Sequence, residues 1–177
     1  MIVGFLTLTM WAFTDIDTFE MTEEPPGRLE VIGYAGSERV FTFQKWKINK
    51  LEWTAGDFEN IDIEILIDCK SLHHDWKDLK KSIRKKKDYF YVSKFPTATA
   101  SVTSAKKTGD GTYKADMVLS LKGITKNVPI TFNVTGTGTA EDPYKVTGAG
   151  ELNRRKFDFY GNGPKNKVPV KFDITLP

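Results

Sequence analysis

One cysteine and two histidines are all that this 177-residue chain offers to thiol and imidazole chemistry. Cys69 has no second cysteine to pair with, which excludes an intramolecular disulfide, zinc ribbons and CxxC redox motifs. His73 and His74 are adjacent, and with Cys69, Asp75 and Asp78 they bring together residue types that ligate metals. No ligand spacing is met, so a polar loop ahead of a helix is the expected reading, with no metal and no cofactor. Cys69 stands next to Asp68, whose charge raises a thiol pKa, so it reads as a structural thiol and not a nucleophile. The chain has no GxSxG, no P-loop, no GxGxxG after a strand and no HExxH, and nothing else in it carries a catalytic signature. No segment is apolar for long enough to span a bilayer as a helix. The net charge of +3 is small, no RNP-like aromatic motif accompanies it, and nucleic acid is not an expected partner.

Residues 1–27 read as a segment ahead of the folded domain, which is expected over 28–177. Residues 1–13 are apolar, interrupted by Gly4, Thr7 and Thr9. They have the apolar middle of a secretory signal without its basic start or small-residue cleavage site, and they serve equally as a first strand or an apolar flap. The signal reading places the protein in the periplasm or outside the cell. Residues 14–27 are acidic, carry Pro25 and Pro26, and read as a linker.

From there, period-two patterns dominate. Residues 29–35 and 39–49 are strands, the second with a change of phase between Phe43 and Trp46 that predicts a bulge. In 60–69, Ile61, Ile63, Ile65 and Ile67 share a face, with Asp62, Glu64 and Asp68 opposite. Residues 97–105 form another strand. In 112–122, Tyr113, Ala115, Met117, Leu119 and Leu121 alternate with polar residues, after the hairpin signal Asp110-Gly111. Val128, Ile130, Phe132 and Val134 form the next inward row. Residues 144–152 and 168–176 complete the set, the latter with Val168, Val170, Phe172, Ile174 and Leu176 on one face. One helix is expected over 75–86, capped by Asp75, with Trp76, Leu79 and Ile83 on one face. The fold class is all-β: an antiparallel barrel of about eight strands with one inserted α-helix. A filled interior and a hollow one give the same periodicity.

Three stretches resemble the YceI-like family: KDYFYVSKFPTA from Lys87, LSLKGITKNVPITF from Leu119 and LNRRKFDFYG from Leu152. KGITK is the most specific piece, with Gly123 permitting a turn between Lys122 and Lys126. The family's Asp-x-His-Leu has no counterpart, since that place reads Arg84-Lys85-Lys86-Lys87-Asp88-Tyr89-Phe90. The resemblance implies a lipocalin-like barrel that binds long isoprenoid lipids, and it is what favours a hollow interior. The ligand-binding residues expected on that basis are Phe41, Phe43, Trp46, Ile63, Ile65, Phe90, Phe95, Met117, Leu119, Leu121, Ile130, Phe132 and Phe157, with Arg154 near a polar head. The chain is then a carrier and not an enzyme. A filled barrel serving as a structural or stress-related interaction module is the alternative, and an enzyme using the same cavity is a weaker one.

Two charged clusters have two readings each. Lys80, Lys81, Arg84, Lys85, Lys86 and Lys87 are either a solvated helix face or a surface for a lipid headgroup, a diphosphate or a membrane. Arg154 and Arg155 fall in a candidate strand, so one points inward, toward a carboxylate such as Asp88 or toward the head of a ligand. The expected partner is an isoprenoid or other long-chain lipid, with a membrane surface and a second copy of the chain (a homodimer) as further candidates.

Overall fold

The computed structural model describes residues 24–163 and 165–176. The expectations for residues 1–13, including the signal reading, lie outside the described residues. Strands form where β-branched and aromatic residues alternate with polar ones: β1 (Gly27–Tyr34), β2 (Glu38–Phe43), β3 (Trp46–Glu52), β4 (Asp62–Asp68), β5 (Leu72–His73), β6 (Thr97–Val102), β7 (Lys106–Gly109), β8 (Thr112–Leu121), β9 (Ile124–Thr135), β10 (Tyr144–Asn153) and β11 (Lys167–Leu176). The helix α1 (Lys77–Lys85) lies between β5 and β6.

All pairings are antiparallel, along the path β3-β4-β6-β8-β9-β10-β11-β1-β2-β5, with β7 paired to β8. Three interruptions are bends within continuing runs of chain. β2 passes into β3 through Gln44 and Lys45, and β4 passes into β5 through a 3-10 turn at Cys69–Ser71. Hydrogen bonds between the two runs continue across the bends: Asp68 N–H to Lys45 O at 3.0 Å, Gln44 N–H to Ser71 O at 3.4 Å and Lys45 N–H to Ser71 Oγ at 3.0 Å. β6 and β7 lie along successive parts of β8 in the same way. The eleven strands are therefore eight runs. The β2/β3 run and the β4/β5 run stand at both ends of the path, so the sheet curls until its ends meet. This is the expected lipocalin-like barrel, and closing removes the exposed edges of an open sheet.

Tight hairpins set the register. β8 turns into β9 through Lys122 and Gly123, with φ of +54° and +74° between the paired Leu121 and Ile124. Positive φ at both central residues matches the right-handed twist of the flanking strands. Tyr113, Leu119, Leu121, Val128, Ile130, Phe132, Ile174 and Leu176 are all buried. Each such side chain contributes roughly 1.5–3 kcal/mol by leaving water.

Four local expectations are corrected. The helix starts at Lys77 with Trp76 as its N-cap and without a side-chain cap. Asp75 instead faces His73 Nε2 at 3.4 Å, and the Trp76 N–H donates to His74 Nδ1 at 2.9 Å. Trp76 does not join the inner face of Leu79 and Ile83; it is half exposed, because it precedes the first helical turn. The expected bulge between Phe43 and Trp46 is the barrel-closing bend. Arg154 and Arg155 are not in a strand but in a 3-10 turn, Arg154–Phe157, opened by the Asn153 side chain accepting from Arg155 N–H and closed by left-handed Asp158.

Candidate functional site

Strand direction sorts the connections into two ends. The turn Phe58–Asn60 and the starts of β8 and β10 lie at one end; the hairpins β1–β2 and β8–β9, α1 and the β10–β11 connection lie at the other. The first end is plugged by rings. Phe58 meets Trp53, Tyr113 and Tyr144 at centroid distances of 5.1, 5.6 and 5.3 Å, and Tyr113 stacks on Phe132 at 5.3 Å. Rings at these separations fill a barrel end densely.

Above this floor the side chains do not meet across the barrel. They enclose a cavity of about 910 Å³, at the upper end of the range for small-molecule sites. Ile61, Ile63, Ile65 and Ile67 of the β4 face, Met117, Leu119 and Leu121 of β8, Ile130 and Phe132 of β9, and Val168, Val170, Phe172, Ile174 and Leu176 of β11 all line it. Ala98 and Ala100 on β6 leave room opposite the larger residues. Leu79 and Ile83, one helical turn apart, close the roof together with Phe90 and Phe159, whose rings meet edge-on at 5.0 Å.

Polar residues lining the cavity lie on the β1–β2 and β10–β11 side: Glu30, Glu38, Glu151, Asn153, Arg154, Asn162, Lys165, Asn166, Lys167 and Lys171. There the barrel wall parts. β1 pairs with β11 only from Gly27–Ile174 to Val31–Val170, although β1 runs on to Tyr34 and β11 begins at Lys167. The first β11 residue beyond the last pair is Pro169, which has no N–H to donate. The β10 ladder continues past it, pairing Glu151 with Pro169, so the interruption falls on the β1 side alone. Residues from both separated strands line the cavity, and Tyr34, Glu38, Asn162, Lys165 and Lys167 are exposed, so this is its mouth.

The expected ligand residues divide. Phe41, Phe43, Ile63, Ile65, Phe90, Met117, Leu119, Leu121, Ile130, Phe132 and Arg154 line the cavity; Trp46, Phe95 and Phe157 do not. Trp46 is fully buried just past the β2–β3 bend, on the same sheet face as its ladder partner Ile67, but it is not among the residues that line the cavity. Phe95 sits half-buried in the connection ahead of β6, its ring 6.2 Å from that of Tyr91 and close to Gly123. Phe157 is buried in the 3-10 turn after β10. The roof residues Leu79, Ile83 and Phe159 were not among the expected ligand residues. Leu79 and Ile83 carried a signal as the apolar face of α1, and the FDFY alternation was the signal for Phe159.

Arg154 does not pair with Asp88. Its Nε donates to Lys165 O at 2.9 Å, Nη1 to Phe159 O at 3.3 Å and to Gly161 O at 2.5 Å, and Nη2 to Gly163 O at 2.7 Å. Burial lowers its pKa, and the neighbouring Arg155 adds to the shift. The guanidinium fork thus spends its donors shaping one lip of the mouth. Lys122 plays a similar part, donating from Nζ to Lys87 O at 2.8 Å and Asp158 O at 2.6 Å, with its charge 4.8 Å from the Phe159 ring centre. Burial pulls its pKa down, against the opposing charges of Asp158 and Asp88. Cys69 is buried away from the cavity, and burial, with Asp68 as a lesser cause, pushes its thiol up to about 12. Among the described residues, no His, Cys, Ser, Thr or Asp lines the cavity.

A family model described as YceI-like domain matches residues 31–176. A UPF0312 protein of Pseudomonas fluorescens (strain SBW25) is 31% identical over 140 residues, covering 76% of this chain and 70% of the relative. Among solved structures, Burkholderia cenocepacia BcnA superposes with a TM-score of 0.74 at 18% identity, over 85% of this chain and 96% of that one. A polyisoprenoid binding domain from Saccharophagus degradans, implicated in plant cell wall breakdown, superposes with a TM-score of 0.62 at 12% identity, over 86% and 94%.

Proposed function

The chain belongs to the YceI-like family, and from that premise we propose that it is a carrier that holds a long apolar, isoprenoid-like lipid in the barrel. The observation that carries this reading is the cavity of about 910 Å³, with an apolar floor, walls and roof and polar residues gathered at one mouth. An apolar chain gains about 0.8 kcal/mol per buried methylene, so fifteen carbons bring roughly 12 kcal/mol before ordering costs. The polyisoprenoid binding domain of the same fold supports the choice of an isoprenoid over other long-chain lipids. The carboxylates and amines that line the cavity stand on its mouth side while its floor, walls and roof are apolar, an arrangement that supports a carrier over an enzyme.

The test is native isolation without detergent, then organic extraction and lipid mass spectrometry. A stoichiometric long-chain isoprenoid is the expected result. Protein that carries no lipid and binds no fluorescent isoprenoid probe would overturn the proposal.

A further inference from the structure

The mouth end of the barrel carries a chemistry that the cavity does not explain. Of the apolar side chains most exposed on the described surface, the aromatic ones are Tyr34, Trp76 and Tyr160, at 38%, 50% and 53%. Tyr34 ends β1, Trp76 opens α1 and Tyr160 lies in the β10–β11 connection, so all three stand at the mouth end. Each has a cation beside its ring: Lys165 at 5.8 Å, Arg39 at 5.8 Å and Arg155 at 5.3 Å respectively. Exposed aromatic rings interleaved with cations suit the boundary between water and a bilayer, where an amphipathic ring is wet on one side and apolar on the other.

The helix that roofs the cavity has two opposed faces. Leu79 and Ile83 face the interior, while Lys77, Lys81 and Lys85, also one turn apart, are exposed on the opposite side. Residues 77–88 hold seven lysines or arginines and two aspartates, a net +5 in twelve residues, while the whole chain is only +3. No ion pair involves a basic residue of this stretch among the described residues. Such a surface leaves its charge available to an anionic partner, and its position over the cavity decides which kind.

We propose that the mouth end docks on an anionic lipid bilayer, with Lys77, Lys81 and Lys85 against the headgroups and Trp76 and Tyr160 in the interfacial layer. The roof helix then lies on the membrane, with the mouth between β1 and β11 beside it. The proposal takes its purpose from the lipid-carrier reading, but the charge and ring placement stand without it.

The test is co-sedimentation of the full chain with mixed phosphatidylcholine–phosphatidylglycerol vesicles and with pure phosphatidylcholine vesicles. Binding is expected to the mixed vesicles alone and to fall with added salt. At about 1 kcal/mol per basic residue, or about fivefold, the triple variant Lys77→Gln, Lys81→Gln, Lys85→Gln should bind roughly a hundredfold more weakly. Circular dichroism and thermal melting confirm that it is folded. Trp76→Phe should lose most of the blue shift in tryptophan emission that vesicles induce. Equal binding to both vesicle types, wild-type binding by the triple variant, or binding to nucleic acid but not to vesicles would overturn the proposal. The two readings fail separately: the triple variant should still bind an isoprenoid probe in vesicle-free solution, and a variant with a blocked cavity should still sediment with the mixed vesicles.

Discussion

Replacing Leu119 by tryptophan separates a hollow barrel from a filled one. Leu119 is buried on β8, its partner across β6 is Ala100, and both line the cavity. The extra bulk of an indole is roughly 60 Å³, about two water volumes, against a cavity of about 910 Å³. In a filled core that bulk forces side chains off their rotamers and costs about 1–3 kcal/mol. Beside Ala100 the ring has room, and the expected change in unfolding free energy is under about 1 kcal/mol. The same bulk displaces roughly two methylenes of a ligand that fills the cavity, a loss of about 1.6 kcal/mol. That is about fifteenfold in Kd. A ligand too short to reach the site should lose nothing. Urea unfolding measures the first quantity, and displacement of a fluorescent isoprenoid probe by prenols of increasing length measures the second. A variant destabilised by the full overpacking cost, together with a wild type that binds no probe, would falsify the hollow-barrel reading.

Arg154→Ala leaves the carbonyls of Lys165, Phe159, Gly161 and Gly163 without their donor; the bonds to Phe159 and Gly161 are the fully buried ones, so at about 1–3 kcal/mol per unsatisfied buried group a loss of roughly 2–6 kcal/mol is expected in urea, and a loss within error would show that the lip is held by other contacts. A Cβ at Gly148 would lie 2.7 Å from Phe132 Cβ and 2.3 Å from Phe172 Cζ. The Phe172 ring can swing into the cavity but Phe132 Cβ is tied to its strand, so Gly148→Ala should lower stability by about 1–3 kcal/mol, and an unchanged melting temperature would show that the sheet yields freely. Cys69, raised from 9.0 to about 12, should resist alkylation in native protein and react fully in denaturant. Its folded pKa is the higher one, so its contribution to stability is complete below about pH 9 and is lost as pH rises toward 12. Alkaline urea titrations should therefore fall less steeply for Cys69→Ala, and parallel curves would contradict this.

Where one face of a strand is buried and its backbone is regular, the sequence reveals both element and orientation. The rows on β4, β8 and β11 point into one interior because side chains alternate without interruption through each strand. Legibility ends where the chain bends. The change of phase between Phe43 and Trp46 is legible and puts Trp46 on the face of its partner Ile67, but nothing in the pattern shows that the residue past the bend misses the cavity. The turn at Arg154–Phe157 looks like strand because Leu152 and Phe157 are apolar, yet Asn153 is a good cap residue and Asp158 tolerates the left-handed conformation that ends the turn. Those two residues were the available signal. The hollowness itself is not legible in period-two patterns. It depends on how far apart the walls stand and on small residues such as Ala98 and Ala100 facing large ones. The mouth is hidden for a similar reason, since Pro169 reads as an ordinary interruption until its missing donor is seen to fall on the β1 side of β11.

The two ends of the barrel differ in chemistry, and under the carrier reading that difference orients a ligand. The floor is made by Phe58, Tyr113 and Phe132 with Ile61, Val146 and Leu176 beside them. A hydroxyl or phosphate placed there would lose its water and find no charged partner, at a cost of several kcal/mol. At the mouth the same group meets Asn162, Asn166, Lys165 and Lys167 and remains in contact with solvent. Lys165 and Lys167 are partly engaged by Glu38 at 3.6 Å and Glu151 at 2.9 Å, but these are exposed pairs worth little, and they can exchange partners. The buried Arg154, by contrast, is committed to backbone carbonyls and holds the lip in place. Under the carrier reading an amphipathic lipid would therefore enter tail first and keep its head beside the exposed lysines, on the side where the ladder between β1 and β11 stops.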